Sequence, residues 1–248
     1  MKKYLYDGMG FSLHLFSVVG SNLHGLNNEN SDVDYKGVFT WDKNVLLGMS
    51  KPLLSLNKDN TNKEEWKLLL NDLNKDFGLN LTEDDDLFLF SAKEFFNLSY
   101  KNDSNMLDML YNDKEQYTLF VSEEFKEVKK HRNNFLNKSV AFKRFFGMSN
   151  GTLNEAKKGM KTYKNLSKSL QMLYSLKLLL KENKHFPELP LELRKEVLEV
   201  KNGLLDLDKC FEKVEALKLE LDNFKFDEDL KECSKNLMDS LLVNLHTN

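Results

Sequence analysis

Apolar positions form three short runs in the first 90 or so residues, and longer patterns with helical spacing after them. The runs at 13–19, 35–41 and 87–90 are rich in β-branched, leucine and aromatic side chains, which is typical of buried strands. Residues 51–86 are polar and acidic, apart from a pattern at 63–70 that predicts a short helix. The pattern therefore predicts a sheet confined to the N-terminal part of the chain.

Two helices are predicted directly after the third strand. Ser91 is followed three residues later by Glu94, a capping box that begins the first of them. Asp103 begins the second, which runs through Leu110. Strands and helices in this order predict a mixed sheet with flanking helices.

From about residue 120 onward the pattern is helical. One helix is predicted over 154–183, and breaks are predicted at 147–151, at 187–190 and at 202–203. We therefore predict an α+β fold with two domains, a mixed-sheet domain at 1–118 and a helical domain at 119–248.

Composition and charge narrow the function classes. The net charge of −3 gives no global attraction to nucleic acid, so any such binding needs a local basic patch. Cys210 and Cys233 are too few and too far apart for a disulfide framework or a zinc site, which predicts a reduced, cytoplasmic protein. No apolar run reaches the length of a signal sequence or a membrane span, so we expect no membrane partner.

The candidate chemistry lies between the first two predicted strands. Gly20 and Ser21 end the first strand, and Asp32 and Asp34 follow after ten intervening residues. Side chains at i and i+2 of a strand share a face, so both carboxylates are expected to point to one spot, where they could hold Mg²⁺. Gly20 would let backbone approach a phosphate, and Ser21 could bind one. A solvated turn is the alternative interpretation of Asp-x-Asp alone.

A site of this kind usually includes a third carboxylate from an adjacent strand. Asp84, Asp85 and Asp86 precede the third strand, and we favour Asp86 because it is nearest to that strand. Its role would be that of a general base or a further metal ligand. The alternative is a solvated acidic loop. His24 is the one histidine placed to touch a substrate, and a structural or surface role is expected for His14, His131, His185 and His246.

A row of lysines lies on one side of the predicted helix 154–183, opposite a leucine stripe. Its members are Lys157, Lys161, Lys164 and Lys168. Like charges at this spacing repel, and an anionic partner such as a triphosphate or an RNA backbone would relieve that repulsion. A solvated lysine face is the alternative.

The Gly-Ser-x10-Asp-x-Asp spacing resembles the signature of the polymerase-beta-type nucleotidyltransferases. The strings Leu23-His24-Gly25, Ser31-Asp32-Val33-Asp34-Tyr35 and Lys36-Gly37-Val38-Phe39 resemble a branch found in bacteria and phages, some of whose members are linked to RNA repair. Weaker likeness continues at 86–90, 105–110 and 200–203.

The resemblance implies that residues 1–118 form a nucleotidyltransferase domain. Asp32, Asp34 and Asp86 would then hold Mg²⁺ or Mn²⁺, and Gly20, Ser21 and His24 would contact an NTP such as ATP. The family carries Lys, His and Arg at successive turns of a later helix. The best register places Lys164, Lys168 and Gln171 there, so the lysine is kept and the other two differ.

The implied reaction moves an NMP from an NTP to an acceptor hydroxyl, preferably on RNA. The alternatives are nucleotidylation of a protein or a small molecule, and a catalytically silent binding or antitoxin-like partner. The sequence leaves the oligomeric state open.

Overall fold

A computed structural model describes residues 2–29, 31–49, 51–225 and 235–247, and its N-terminal half contains a six-stranded mixed sheet. The strands are β1 (Lys2–Tyr6), β2 (Met9–Val19), β3 (Asp34–Trp41), β4 (Ser55–Leu56), β5 (Leu87–Ser91) and β6 (Thr118–Val121). Their order is β1-β2-β3-β5-β4, and β6 also pairs with β2. Among these pairs only β3 and β5 run parallel. The predicted α+β fold with a mixed sheet is confirmed.

The three predicted strands correspond to β2, β3 and β5, each slightly longer than expected. The sequence pattern missed β1, β4 and β6. Because β6 lies well beyond residue 90, the prediction that strands are confined to the first 90 or so residues is wrong. The four residues of β6 are all half-buried, which leaves no alternating signal, and β4 has only two residues. The β6 strand begins at Thr118 and so crosses the predicted boundary between 118 and 119, and the division into two domains there stays a prediction.

The helices around the sheet are α1 (Gly20–Leu23), α2 (Lys43–Leu47), α3 (Lys63–Phe77), α4 (Ala92–Tyr100), α5 (Ser104–Tyr111) and α6 (Glu123–Lys130). The predicted caps are present: the Ser91 side chain accepts a hydrogen bond from the Glu94 amide, and Asp103 caps α5. The α3 helix is longer than predicted and ends at Gly78, whose φ of 64° is left-handed.

The C-terminal helices are α7 (Lys138–Lys157), α8 (Thr162–Glu182), α9 (Leu191–Lys201), α10 (Leu207–Asp222) and α11 (Lys235–Thr247). Breaks at 187–190 and at Gly203 are confirmed. The break predicted at 147–151 is wrong, because both glycines there lie inside α7. Packing of its buried side chains against α8 outweighs a cost of about 1 kcal/mol per glycine.

The single helix predicted over 154–183 is also wrong. The chain leaves the helical conformation after Lys157 and re-enters it at Thr162. Gly159 and Lys161 have φ values of 78° and 40°, which turn the backbone between α7 and α8.

Two buried apolar clusters cover the faces of the sheet. Phe11, Phe16 and Phe39 pack with the apolar side of α3. Leu15 and Val38, on the opposite face, pack with the helices α4 to α11. The C-terminal helices therefore pack on the face of the sheet at the end of β2, and the candidate site forms there. Cys210 is buried on α10, whereas Cys233 lies outside the described residues. No helix in the described ranges is long and apolar enough to cross a bilayer.

Candidate active site

The Gly-Ser turn is the point where β2 ends and α1 begins. Gly20 has a φ of 64°, and a Cβ atom built there would lie 1.9 Å from the Asp34 Oδ2 atom. Glycine is therefore required both by the backbone conformation and by the approach of the carboxylate. Ser21 is half-buried, and its hydroxyl has no hydrogen-bond partner within the described part of the chain. That hydroxyl is thus available to a ligand.

The carboxylates of Asp34 and Asp86 lie side by side. Asp34 is the first residue of β3 and Asp86 directly precedes β5, and the two strands are parallel with Tyr35 opposite Leu87. The Tyr35 amide donates to the Asp86 carbonyl oxygen over 2.8 Å. Burial raises the pKa of Asp34, and the negative charges of Asp86 and Asp32 and a hydrogen bond to Asp86 raise it further. Asp34 and Asp86 are therefore adjacent, and Asp32 lies near enough for its charge to act on Asp34.

Asp32, in the loop before β3, and Asp85, in the loop before β5, are placed differently from Asp34 and Asp86. Asp32 is exposed and lies in the loop before β3. It is therefore near Asp34 because of the course of the loop, and not because the two residues alternate along one strand as predicted. Asp85 accepts hydrogen bonds from the Thr82 amide and hydroxyl at 2.6 and 2.8 Å, which turns it away into its own loop. Asp86 is thus the member of the acidic cluster that adjoins Asp34.

The donor set suits a hard divalent cation. Within the described ranges no three acidic, histidine or cysteine side chains form a ready-made ligand cluster. The Asp34 and Asp86 side chains nevertheless lie within hydrogen-bonding distance of each other, and burial together with the charge of Asp86 raises the pKa of Asp34. A cation bound between such oxygens would offset the repulsion, so the residues fit Mg²⁺.

Lys36 was not predicted as a site residue. It lies two residues after Asp34 on β3, and its Nζ atom donates to the Asn105 Oδ1 atom over 2.6 Å. Burial lowers the pKa of Lys36, and the carboxylates of Asp108, Asp103, Asp34 and Asp86 raise it. Its i+2 spacing from Asp34 was the available signal, because alternation puts both side chains on one face.

A buried polar group adjoins Lys36 and reaches the Gly-Ser loop. Asp108 is buried on α5, and its Oδ1 atom accepts a hydrogen bond from the His185 Nε2 atom over 2.7 Å. Its Oδ2 atom lies 3.4 Å from the His24 Nε2 atom. The Nδ1 atom of His24 contacts the Pro187 carbonyl oxygen. Both ring nitrogens of His24 are therefore occupied by protein groups.

The lysine row is only partly assembled. Lys157 pairs with Glu215 at 2.7 Å, and Lys161 lies in the turn before α8. Lys164 and Lys168 are exposed on α8 without an ion pair among the described residues. Lys201, on α9, donates to the Leu26 carbonyl oxygen, and burial and the charge of Lys164 lower its pKa. The basic cluster near the loop is thus formed by Lys164 and Lys201, with Lys168 one turn away.

Searches among curated proteins and among solved structures find no match to the chain. A family model does match, over residues 9–232, and its description is RlaP, the RNA repair pathway DNA polymerase beta family. The matched range includes the Gly-Ser turn, the three predicted carboxylates and the helices α1 to α10. The chain therefore belongs to this family of polymerase-beta-type nucleotidyltransferases associated with RNA repair.

Proposed function

We propose that this protein is an Mg²⁺-dependent nucleotidyltransferase that moves an NMP from an NTP to an acceptor hydroxyl. The observation that carries the proposal is the adjacency of Asp34 and Asp86 beside the Gly-Ser turn, with Asp32 at its edge. In the reaction the acceptor oxygen attacks the α-phosphorus, the bond to the bridging oxygen breaks, and pyrophosphate leaves with that electron pair. The acceptor proton goes to a base at the site.

Each carboxylate has a role that its placement supports. Asp32, Asp34 and Asp86 would hold Mg²⁺, with Mn²⁺ as a substitute. When bound, the metal supplies charge stabilisation for the attacking and leaving oxygens. Asp86 is exposed and borders the site, so it can also accept the acceptor's proton.

The triphosphate would lie against the turn and the basic cluster. Gly20 allows close approach of the backbone, and the hydroxyl of Ser21, which has no hydrogen-bond partner among the described residues, can donate to a phosphate oxygen. Lys164 and Lys168, unpaired within the described ranges, would face the phosphates. The positive charge of Lys36, whose amine is held by its bond to Asn105, partly compensates the carboxylates of Asp34 and Asp86.

The acceptor we favour is an RNA hydroxyl, because the family description names an RNA repair pathway. A protein or a small-molecule acceptor is the alternative within the same chemistry. The cytoplasm is the expected location of this activity, on the basis of cysteine usage.

One labelling experiment tests the reaction and the acceptor together. The protein is incubated with each α-labelled NTP, Mg²⁺ or Mn²⁺ and total RNA, and label is measured in RNA, in protein and in small molecules. We expect label in RNA, and none after Asp32→Asn combined with Asp34→Asn. Asp84→Asn is the matched control and should remain active, because Asp84 lies outside the crowded pair. Absence of label in every fraction would favour a silent binding partner.

A further inference from the structure

Lys201 joins the end of α9 to the loop that follows the Gly-Ser turn. It is the last residue of α9, and its Nζ atom donates to the Leu26 carbonyl oxygen over 2.5 Å. The Leu26 amide in turn donates to the Ser21 carbonyl oxygen over 2.9 Å. In this series of hydrogen bonds, Leu26 is therefore the one residue between the Lys201 amine and the serine of the turn.

Lys201 and Lys164 bring two positive charges to this loop. Gly203 follows α9, and a Cβ atom built on it would lie 3.5 Å from the Tyr163 Cε2 atom, so the end of α9 is packed against the beginning of α8. Lys164 is the next residue of α8. Burial and the nearby charge of Lys164 lower the pKa of Lys201. Neither lysine forms an ion pair with a carboxylate in the described ranges, so the protein leaves both charges uncompensated there.

The amine of Lys201 keeps most of its binding capacity. An ammonium group has three donors, and the Leu26 carbonyl oxygen accepts from one of them. A carbonyl oxygen has no net charge, so this bond holds the amine in place without neutralising it. The side chain is half-buried, and hydrogen bonds from a cation to phosphate oxygens are stronger than those between neutral groups. The amine is therefore fixed beside the turn with two donors left for an anion.

The location of this cation relative to the carboxylates selects a part of the NTP. The charges of Asp34 and Asp86 act on Lys36, which adjoins them. Lys201 is farther from them, because within the described ranges its pKa responds, besides burial, to the charge of Lys164 alone. In the proposed reaction the α-phosphorus lies at the carboxylates. A cation beyond the Gly-Ser turn is thus placed for the phosphates that leave.

We propose that Lys201, together with Lys164, binds the pyrophosphate portion of the NTP and stabilises the charge that this portion gains as it leaves. The inference rests on the proposed function for its substrate and adds to that site a contact residue from α9. The bond between the α-phosphorus and the bridging oxygen breaks, its electron pair goes to pyrophosphate, and the ammonium group attracts the added charge. Lys201 therefore also favours an NTP over an NMP.

The test measures binding to wild type and to Lys201→Met by calorimetry. Methionine keeps an apolar chain at this position and removes the charge. The ligands are inorganic pyrophosphate, ATP with Mg²⁺, and a single-stranded RNA. Pyrophosphate and ATP affinities should each fall about tenfold, because a hydrogen bond to a charged group is lost, whereas RNA affinity should be unchanged. Lys195→Met is the matched control on the same helix, since Lys195 is exposed and pairs with Glu192 at 3.1 Å, and it should keep the wild-type affinities.

Two further variants separate phosphate binding from support of the loop. Lys201→Gln keeps a donor for the Leu26 carbonyl oxygen but has no charge, and Lys201→Arg keeps both. If Lys201 binds pyrophosphate, Lys201→Gln should lose affinity as Lys201→Met does, and Lys201→Arg should recover most of it. A role limited to holding Leu26 predicts recovery in Lys201→Gln as well.

The outcomes distinguish this assignment from the function on which it rests. Pyrophosphate binding that depends on Lys201, in a protein that transfers no label from any NTP, would overturn the proposed function and leave the pyrophosphate site standing. Label transfer with wild-type pyrophosphate affinity in Lys201→Met or in Lys201→Gln would overturn the assignment of Lys201 alone. Failure of the wild type to bind pyrophosphate would also overturn it, and so would a loss in Lys201→Met that is confined to RNA.

Discussion

Replacing Asp34 by Asn should stabilise the protein at neutral pH while abolishing nucleotidyl transfer. In the folded protein Asp34 is half-buried next to Asp86, and burial together with that neighbouring charge raises its pKa above the ordinary 3.8. Ionised Asp34 is therefore an unfavourable group in the fold. An Asn amide has the same shape, carries no charge and can donate a hydrogen bond to Asp86.

The gain should be about 1 kcal/mol, within the range of about 0.5 to 2 kcal/mol found when strain at a functional site is removed. For a chain of 248 residues this corresponds to a rise in Tm of about 2–4 °C. The sign of the pH dependence follows from linkage. A carboxyl whose pKa is raised by folding contributes most stability at low pH, and that contribution is lost as the pH rises through the folded-state pKa. The advantage of Asp34→Asn should therefore be absent in acid and complete at pH 7.

Thermal melts of metal-free protein between about pH 4 and pH 7 measure this difference. Asp85→Asn is a control of opposite sign, because the Asp85 carboxylate accepts two hydrogen bonds from Thr82 and its neutralisation should cost stability. Added Mg²⁺ should raise the Tm of wild type more than that of Asp34→Asn. A variant that is less stable than wild type at pH 7, or a difference that does not vary with pH, would refute the crowding of Asp34 and Asp86.

Three further substitutions test the neighbouring groups. Ser21→Ala should weaken NTP binding by about 1.5–3 kcal/mol in a calorimetric titration, since a hydrogen bond to a charged group is removed, and unchanged affinity would make the turn purely structural. Gly20→Ala should lower both stability and transfer activity in melts and in the labelling assay, because the new methyl group meets the adjoining carboxylate in a left-handed conformation. Combined Lys164→Gln and Lys168→Gln should flatten the slope of log K against log salt for RNA by about one to one and a half. Lys157→Gln is the matched control there, since that lysine is paired with a glutamate, and equal slopes in both variants would remove the lysines from the RNA site.

The sequence predicted those parts of the fold that local pattern determines. The strands β2, β3 and β5 are buried and rich in branched and aromatic side chains, so they appear as apolar runs. Edge strands such as β1 and the short β6 obtain their hydrogen bonds from β2, and that pairing is a tertiary property. The helix α7 passes through two glycines for the same reason, because contacts with α8 outweigh their low propensity.

The candidate site follows the same division between local and distant determinants. The Gly-Ser turn and the Asp-x-Asp pair are close in the chain, and Asp86 could be anticipated from its place before a strand. Lys36 also has a local signal, its i+2 spacing from Asp34 on one strand. Asp108 and His185 are 77 positions apart, and each looks like an ordinary residue of a helix or a loop. Only the packing of α5 against the α8–α9 connection shows that they form one group.

The placement of Lys36 gives a physical reason for a second acidic group, formed by Asp103 and Asp108. A lysine that faced only Asp34 and Asp86 would be drawn fully to them and would compete with a metal ion for their oxygens. Asp108 and Asp103 attract the same amine from the other side, and Asn105 fixes its Nζ atom at 2.6 Å. The positive charge is thereby shared between two acidic groups, which leaves the crowded pair only partly compensated. A cation site needs partial compensation of this kind. The lysine charge offsets enough of the repulsion to keep the two carboxylates adjacent without metal, and the repulsion that remains favours binding of a divalent cation.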